Sequence, residues 1–476
     1  MRTLFLIAAL AQVATSCSSP APDAAPPARR TDPAAVVVRG VTFRDAQGRQ
    51  LIFRGYNAKV DGIFDVKFDD GRAPNYTFNS FDEASAQRFE ELGFSALRLP
   101  ISWSALEPAP LRYSAAFFDK VDAVLAMAKA HHFYVLFDMH QDSYSKEIGE
   151  DGAPLWAIVP APTTLLSGPS DDSRRLSGPV LAAGFSFFAD ATASDGRSLQ
   201  SAFIAAVSQI AKRYVGRPEV LGFEAFNEPV VLNGTQLGDF HARLADALHA
   251  IDGDAPVLFE PVATRNQTDR AAEPSAPFSH GPGGYAPHIY TGWFSAPDQH
   301  GWESQDPAVL YASMEAANRE ALAWSCPLFV TEFGCDQGAE KGPKWLAAEL
   351  DLQDRFLASS TAWVWEEGGS WGLRDGARAE HAATVAVMSR AYPRAVAGDL
   401  LAIEHPSAGH LTVRYRATEA TKLLPHEVSA SAAWVSDYKI VCDGVEVPAE
   451  RATGRASFRC PWSPGDHVFE LVGAAR

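Results

Sequence analysis

Between about residues 50 and 395, short apolar runs alternate with stretches whose apolar positions recur every three or four residues. The runs are LIFRGYN (51–57), SALRLP (95–100), FYVLFDMH (133–140), VLGFEAFNEP (220–229), PVLFEP (256–261), GGYAPHIY (283–290), PLFVTEFG (327–334) and STAWVWEE (360–367). Runs this short and this apolar read as buried strands. Between them, AAFFDKVDAVLAMAKAHH (115–132) and QSAFIAAVSQIAKRYV (200–215) have the period of amphipathic helices. Eight strand–helix repeats predict an α/β fold, a (β/α)8 TIM barrel whose reactive groups sit at the C-terminal strand ends. A doubly wound open sheet is the alternative. No Gly-rich phosphate loop follows a strand, however, and GPGGY near Gly283 precedes one.

From about Pro393 the period changes to two. In HLTVRYRA, Leu411, Val413 and Tyr415 alternate with Thr412, Arg414 and Arg416. Together with AAWVSDYKIVCDGVEV and ASFRCPWSPGDHVFELVG this predicts a small antiparallel β-sandwich over 394–476. The barrel is assigned to 37–393. The first sixteen residues, MRTLFLIAALAQVATS, carry one positive charge, an apolar run and then small residues, as a signal peptide does. The run is too short to span a bilayer. Ala14-Thr15-Ser16-Cys17 resembles a lipoprotein cleavage box, so Cys17 is expected to carry a lipid anchor, or the chain to be secreted. Residues 17–36 form a Pro/Ala-rich tether.

Charge and cysteines narrow the functional classes. A formal charge of −17 excludes a nucleic-acid backbone as partner. Setting Cys17 aside leaves Cys326, Cys335, Cys442 and Cys460, an even number suited to an oxidising compartment. Cys442 and Cys460 flank neighbouring strands and can pair. Cys326 and Cys335 bracket a strand, and bridging them requires the next loop to fold back. No Cys/His cluster has metal-ligand spacing, so neither metal nor cofactor is expected.

Leu221–Val230, LGFEAFNEPV, is apolar until it stops on Asn-Glu-Pro, and Pro229 ends strand pairing there. The other polar residues of interest also fall at strand ends: Arg98 on the second, Asp138 and His140 on the third, Asn227 and Glu228 on the fourth. His288 and Tyr290 end the sixth, Glu332 the seventh and Trp365 the eighth. On a barrel they converge on one cleft. Two carboxylates facing each other there are the minimal apparatus for cleaving a glycosidic bond, one kept protonated and one ionised. Arg98 is the cation available to hold one of them ionised. Glu224, four residues before Glu228, reads as a structural charge paired with a core arginine, and Asp138 as a hydrogen-bonding support for the rim. Glu366 and Glu367 read as solvated loop charges, with reach to sugar hydroxyls as the alternative, and Glu260 as the competitor for either catalytic role.

These motifs resemble glycoside hydrolase family 5. FNEP on strand four and TEFG on strand seven look like its acid/base and nucleophile signatures. The resemblance implies Glu228 as general acid/base and Glu332 as nucleophile. Arg98, His140, Asn227, His288 and Tyr290 would position nucleophile and substrate, and Trp365 would stack beneath the sugar. DMHQDSYSKEIGEDGAPLWA (138–157) resembles the corresponding loop of the endoglycoceramidase and endogalactosylceramidase branch. That resemblance adds His140, Asp142 and Lys59 as contacts to the sugar beside the lipid.

The implied activity is a retaining endo-β-glycosidase on a glycosphingolipid-like substrate. Membrane contact would come through that substrate and the anchor, and no protein partner is implied. The insertion 155–188 is rich in apolar residues, among them Leu165, Leu166, Leu181, Phe185, Phe187 and Phe188, and is expected to form either a hydrophobic rim for acyl chains or a segment packed on the barrel top. The alternatives are the same chemistry on a glucan or steryl β-glucoside, or a non-catalytic carbohydrate-binding envelope lipoprotein.

Overall fold

A computed structural model of the protein describes residues 26–170, 172–231, 234–268, 281–292 and 307–475. The expected signal peptide, Cys17 and the tether up to residue 25 lie outside the described residues. Eight parallel strands form the barrel: β1 (Arg54–Asn57), β2 (Ala96–Ser102), β3 (Tyr134–His140), β4 (Val220–Glu224), β5 (Val257–Phe259), β6 (Gly283–Tyr285), β7 (Phe329–Val330) and β8 (Ser359–Ala362). The hydrogen-bonded order is β7-β8-β1-β2-β3-β4-β5-β6. A parallel bridge from Tyr285 to Leu328 closes the ring. Past β6 and β7, His288–Ile289 pairs in parallel with Glu332–Phe333, setting His288 opposite Glu332.

Every strand run read from the sequence overlaps a barrel strand, and all but β2, which runs on to Ser102, are shorter than the run. β4 stops at Glu224 and β8 at Ala362, so Asn227, Glu228 and Trp365 lie beyond the sheet. The predicted helices appear as Ala115–Ala130 and Leu199–Tyr214, where Ser114 and Ser198 cap the first-turn N–H groups. Close strand packing is visible at Gly55 on β1. A methyl group there would lie 1.8 Å from the carbonyl oxygen of Ala96, so only glycine fits.

The barrel interior is divided by depth. Its lower end is apolar: Val36, Phe43, Leu51, Phe53, Leu136, Leu221, Leu258 and Phe329 form one buried cluster. The buried Arg30 guanidinium donates to the carbonyls of Val36, Val220 and Leu221 and pairs with Asp252, which seals that end. The upper half is polar and carries the site.

The C-terminal strands form the expected antiparallel layers. Leu411, Val413 and Tyr415 are buried, whereas Arg414 and Arg416 face out. Cys442 and Cys460 form a disulfide, and Cys326 and Cys335 are free and buried. One layer is not purely C-terminal. Sequence reading assigns residues 37–51 to the barrel, yet Val36–Arg39, Thr42–Asp45 and Gln50–Leu51 join Pro393–Val396 in a seven-stranded sheet. Their apolar faces cover the barrel floor, so a single edge serves both units.

The insertion is ordered. It folds into short 3₁₀ turns at Leu155–Ala157 and Asp172–Leu176 and a helix at Gly178–Phe188. Phe187 and Phe188 are buried against Phe203, Phe226 and Phe240, so these two rings belong to the core and not to an apolar rim. Leu165 is 39% exposed and Leu176 78%, which leaves a smaller apolar edge. Among the described residues no helix is long and apolar enough to cross a membrane.

Candidate active site

At the top of the barrel Arg98 rises from β2, fully buried, and organises everything around it. Its guanidinium donates to Glu332 at 2.5 Å, to Glu224 at 2.7 and 3.0 Å, to Asn57 at 2.8 Å and to Asn227 at 2.9 Å. Asp138 and Glu260 lie 3.1 and 3.4 Å away. Burial opposes the charge, but Asp138, Glu224 and Glu332 outweigh it and hold Arg98 well above its usual range. Glu224 is therefore a structural charge on a core arginine, as its sequence position implies. Burial would raise its carboxyl, yet Arg98 and His288 pull it below the usual range. Glu260 is pushed well up by burial and by Glu224 next to it, in spite of Arg98.

Glu332 receives Arg98 on Oε1 and the Tyr290 hydroxyl on Oε2 at 2.7 Å. Glu228 stands across from it. His288 Nδ1 approaches Glu228 Oε1 at 3.0 Å and Glu332 Oε2 at 3.4 Å. One ligand atom each of Glu228, His288 and Glu332 lies within 4.8 Å of the others. Retaining glycosidases place their two carboxyls about 5–5.5 Å apart, whereas inverting ones need roughly 6.5–9.5 Å for a water. The pair therefore has the retaining spacing.

Glu228 takes a positive φ of 42°, an uncommon backbone for a non-glycine residue. Its N–H donates to Glu260 Oε2 at 2.9 Å. Gln141 Nε2 donates to the carbonyls of Asn227 and Glu228, and the Asn227 amide returns a bond to the Gln141 carbonyl. Glu260 is thus not a rival catalyst but a brace that fixes the backbone of Glu228. The carboxylate of Glu228 also accepts Asn266 Nδ2 at 3.0 Å and Arg175 Nη1 at 2.6 Å.

A third face carries the residues expected to touch sugar. His140 is held by Asp138 at 2.6 Å through Nδ1, and its Nε2 is 3.6 Å from Asp142. Asp138 outweighs burial and keeps His140 well above its usual range. Asp142 also pairs with Arg175 at 2.9 Å. Lys59 is buried, pairs with Glu367 at 2.7 Å and sits over the rings of Tyr76 and Trp363 at 4.8 and 5.1 Å. Glu367 is thereby part of the site. Glu366, buried and hydrogen-bonded by Asn79, is not a solvated charge either.

The aromatic assignment needs correction. Trp365 is 1% exposed and packs edge-on against Tyr56, Phe81, Phe89 and Phe94, so it cannot stack beneath a sugar. Trp363 holds the site position. Its ring lies parallel to that of His140 at 5.3 Å, with an interplanar angle of 8°. Because β8 ends at Ala362, Trp363 is the first residue past the strand. Reading the strand to 367 selects the wrong tryptophan.

Sequence reasoning also missed Arg175, Asn266 and Asp151. Asp151 is fully buried, lies within 4.8 Å of ligand atoms of His140 and Asp142, and has two carboxyl oxygens with no hydrogen-bond partner in the protein. Burial pushes its carboxyl well up against the pull of His140, and in its protonated form such a carboxyl donates to a hydroxyl. Its signal is the DG at 151–152 inside the quoted loop, whereas Arg175 in DSRRLSG has no spacing that marks it. His140–Asp142–Asp151, Glu224–Glu260–His288 and Glu228–His288–Glu332 are spaced as a cation would require. Arg175 or Arg98 already supplies positive charge to each of them.

The chain is 28% identical over 391 residues to endoglycoceramidase I of Rhodococcus hoagii, which covers 75% of this chain and 73% of that one. It is 24% identical over 398 residues to an endoglycoceramidase of Cyanea nozakii, covering 74% and 75%. The fold superposes on endo-glycoceramidase II from Rhodococcus sp. in a ganglioside GM3 complex with a TM-score of 0.77 at 22% identity, over 92% of this chain and all of that one. Residues 45–369, more than half the chain and every barrel strand, match the cellulase family profile, and with two facing glutamates at the expected strand ends this protein belongs to glycosyl hydrolase family 5.

Proposed function

We propose that this glycoside hydrolase is a retaining endo-β-glycosidase that cuts between a glycan and its lipid aglycone. The observation that carries the chemistry is the Glu228–Glu332 pair, within 4.8 Å across His288. Glu332 attacks the anomeric carbon while Glu228 gives its proton to the leaving oxygen. Glu228 then takes a proton from the water that releases the glycan from Glu332. Lys59, His140, Asp142, Asn227 and Trp363 bind the sugar next to the bond, with Asp151 behind His140.

The lipid half of the reading rests on the relatives. Two relatives named as endoglycoceramidases align over about three quarters of the chain. The apolar edge at Leu165 and Leu176 suits acyl chains. The test is mass spectrometry of products from a mixed glycosylceramide panel, run beside a soluble cello-oligosaccharide. Release of intact glycan from ceramide is expected, and preference for the soluble substrate removes the lipid reading. We propose in addition that the protein is exported and anchored at Cys17. Labelling with radioactive palmitate, lost in Cys17→Ser, checks this, and unlabelled wild type refutes it.

A further inference from the structure

The two facing glutamates differ in who holds them. Glu332 is held by Arg98 and Tyr290, which project from the barrel. Glu228 is held on Oε1 by His288 and Asn266, while Oε2 has Arg175 at 2.6 Å. Arg175 comes from the 3₁₀ turn Asp172–Leu176 of the insertion, with its side chain 37% exposed. Its other nitrogen reaches Asp142 at 2.9 Å, so the guanidinium lies between a sugar-face carboxylate and Glu228.

With two N–H donors already on Oε1, the proton delivered to a glycosidic oxygen must leave from Oε2. Arg175 and the leaving oxygen therefore compete for one place. We propose that Arg175 is a positioning residue that occupies Oε2 of Glu228 in the empty cleft and gives way when the aglycone oxygen arrives, so that Glu228 becomes protonated only as substrate seats. This rests on the retaining reading above.

The charges agree with the geometry. Glu228 is faced by Arg175 from the insertion, His288 and Glu332 from the paired strand ends, neutral Asn266 from the short helix Arg265–Thr268, and Glu260 through its own N–H. Burial would raise its carboxyl, but Arg175 and His288 bring it well below the usual range. Glu332 is raised by burial and by Glu228, in spite of His288 and Arg98. A proton donor and a nucleophile need the opposite order. Moving Arg175 away removes the cation that the barrel does not itself supply to Glu228, while Glu332 keeps Arg98. The transfer then balances: Glu228 loses the proton from Oε2, the C1–O bond pair passes to the leaving oxygen, and Glu332 forms the new bond to C1.

The test is kcat/KM against pH for wild type, Arg175→Gln and Arg175→Lys. Two aryl β-glycosides of the same sugar are used, phenyl and 2,4-dinitrophenyl. The basic limb of kcat/KM reports protonated Glu228 in the free enzyme. For the phenyl glycoside, whose departure needs a proton, Arg175→Gln should move that limb about one to three pH units higher, the size expected for losing one close opposite charge. Arg175→Lys should leave it near wild type. The dinitrophenyl glycoside departs unaided and should show no such movement in either variant. An unmoved limb in Arg175→Gln with active wild type overturns the Arg175 proposal alone. If Arg175→Gln fails to fold, Arg175→Met takes its place with the same expected limb. No turnover of either glycoside by wild type overturns the hydrolase reading and this one together.

Discussion

The two banks of the cleft are built differently. On the nucleophile bank, Glu332 is fixed by Arg98, itself fully buried among Glu224, Asn57, Asn227 and Asp138. On the acid/base bank, Glu228 sits on a left-handed loop residue, braced through its backbone by Glu260 and Gln141, and its outer oxygen is held from the insertion. One carboxylate has permanent partners and the other a replaceable one. The difference matches the two tasks. A nucleophile must be ionised whenever it is not bonded to the sugar, whereas an acid/base must change protonation state twice in each turnover.

The predictions test that asymmetry. The largest effect is expected at Glu332→Gln, with kcat falling on the order of 10⁴-fold or more on every substrate. Steady-state rates on phenyl and dinitrophenyl glycosides check it, and survival of either rate would move the nucleophile elsewhere. Glu228→Gln should separate the substrates. The phenyl glycoside should lose ~10²–10⁴-fold, while the dinitrophenyl glycoside should still give a burst of 2,4-dinitrophenolate and accumulate glycosyl-enzyme visible by intact mass.

Trp365→Ala probes the wall behind the nucleophile bank, because the Trp365 ring packs edge-on against Tyr56, the neighbour of Asn57, a partner of Arg98. Loss of this buried ring should cost ~3–5 kcal/mol of stability, read as a fall in melting temperature. Tyr290→Phe removes one of the hydrogen bonds that Glu332 accepts from Arg98 and Tyr290 and should lower kcat/KM by about tenfold, near 1.5 kcal/mol for a hydrogen bond to a charged group. The smallest change is expected at Trp363→Ala, a few-fold to about tenfold in KM for ~0.5–1.5 kcal/mol of ring stacking, with the melting temperature kept. A pair of tryptophans two residues apart that exchanged these phenotypes would refute the placement of both.

Much of the barrel was legible because buried parallel strands are simply apolar runs, and each run ends where a polar residue meets the rim. Arg98, Glu228, His288, Tyr290 and Glu332 were readable for that reason. Strand ends were less legible. β8 stops three residues before Trp365, and propensity in STAWVWEE cannot tell which tryptophan leaves the sheet. The aromatic insertion misled for another reason. Phe187 and Phe188 look exposed in a segment without a partner, and only the neighbouring Phe203, Phe226 and Phe240 reveal a core.

The N-terminal strands show the same limit. Val36–Arg39 and Thr42–Asp45 are short and join Pro393–Val396 only through Gln50–Leu51, where Leu51 pairs with Ala395, 344 residues further along the chain. No local period records such a partner.

Composition and periodicity determined the barrel and the C-terminal sheets, because these depend on which residues are apolar and where each run stops, and the resemblance of FNEP and TEFG to the family's signatures chose the two glutamates among the strand-end carboxylates. Tertiary structure alone decided that Arg175 reaches Glu228, that Trp363 and not Trp365 meets His140, and that Glu260 braces rather than reacts. Those contacts join residues 32 to 223 positions apart, and distance along a chain carries no information about distance in space until the barrel closes.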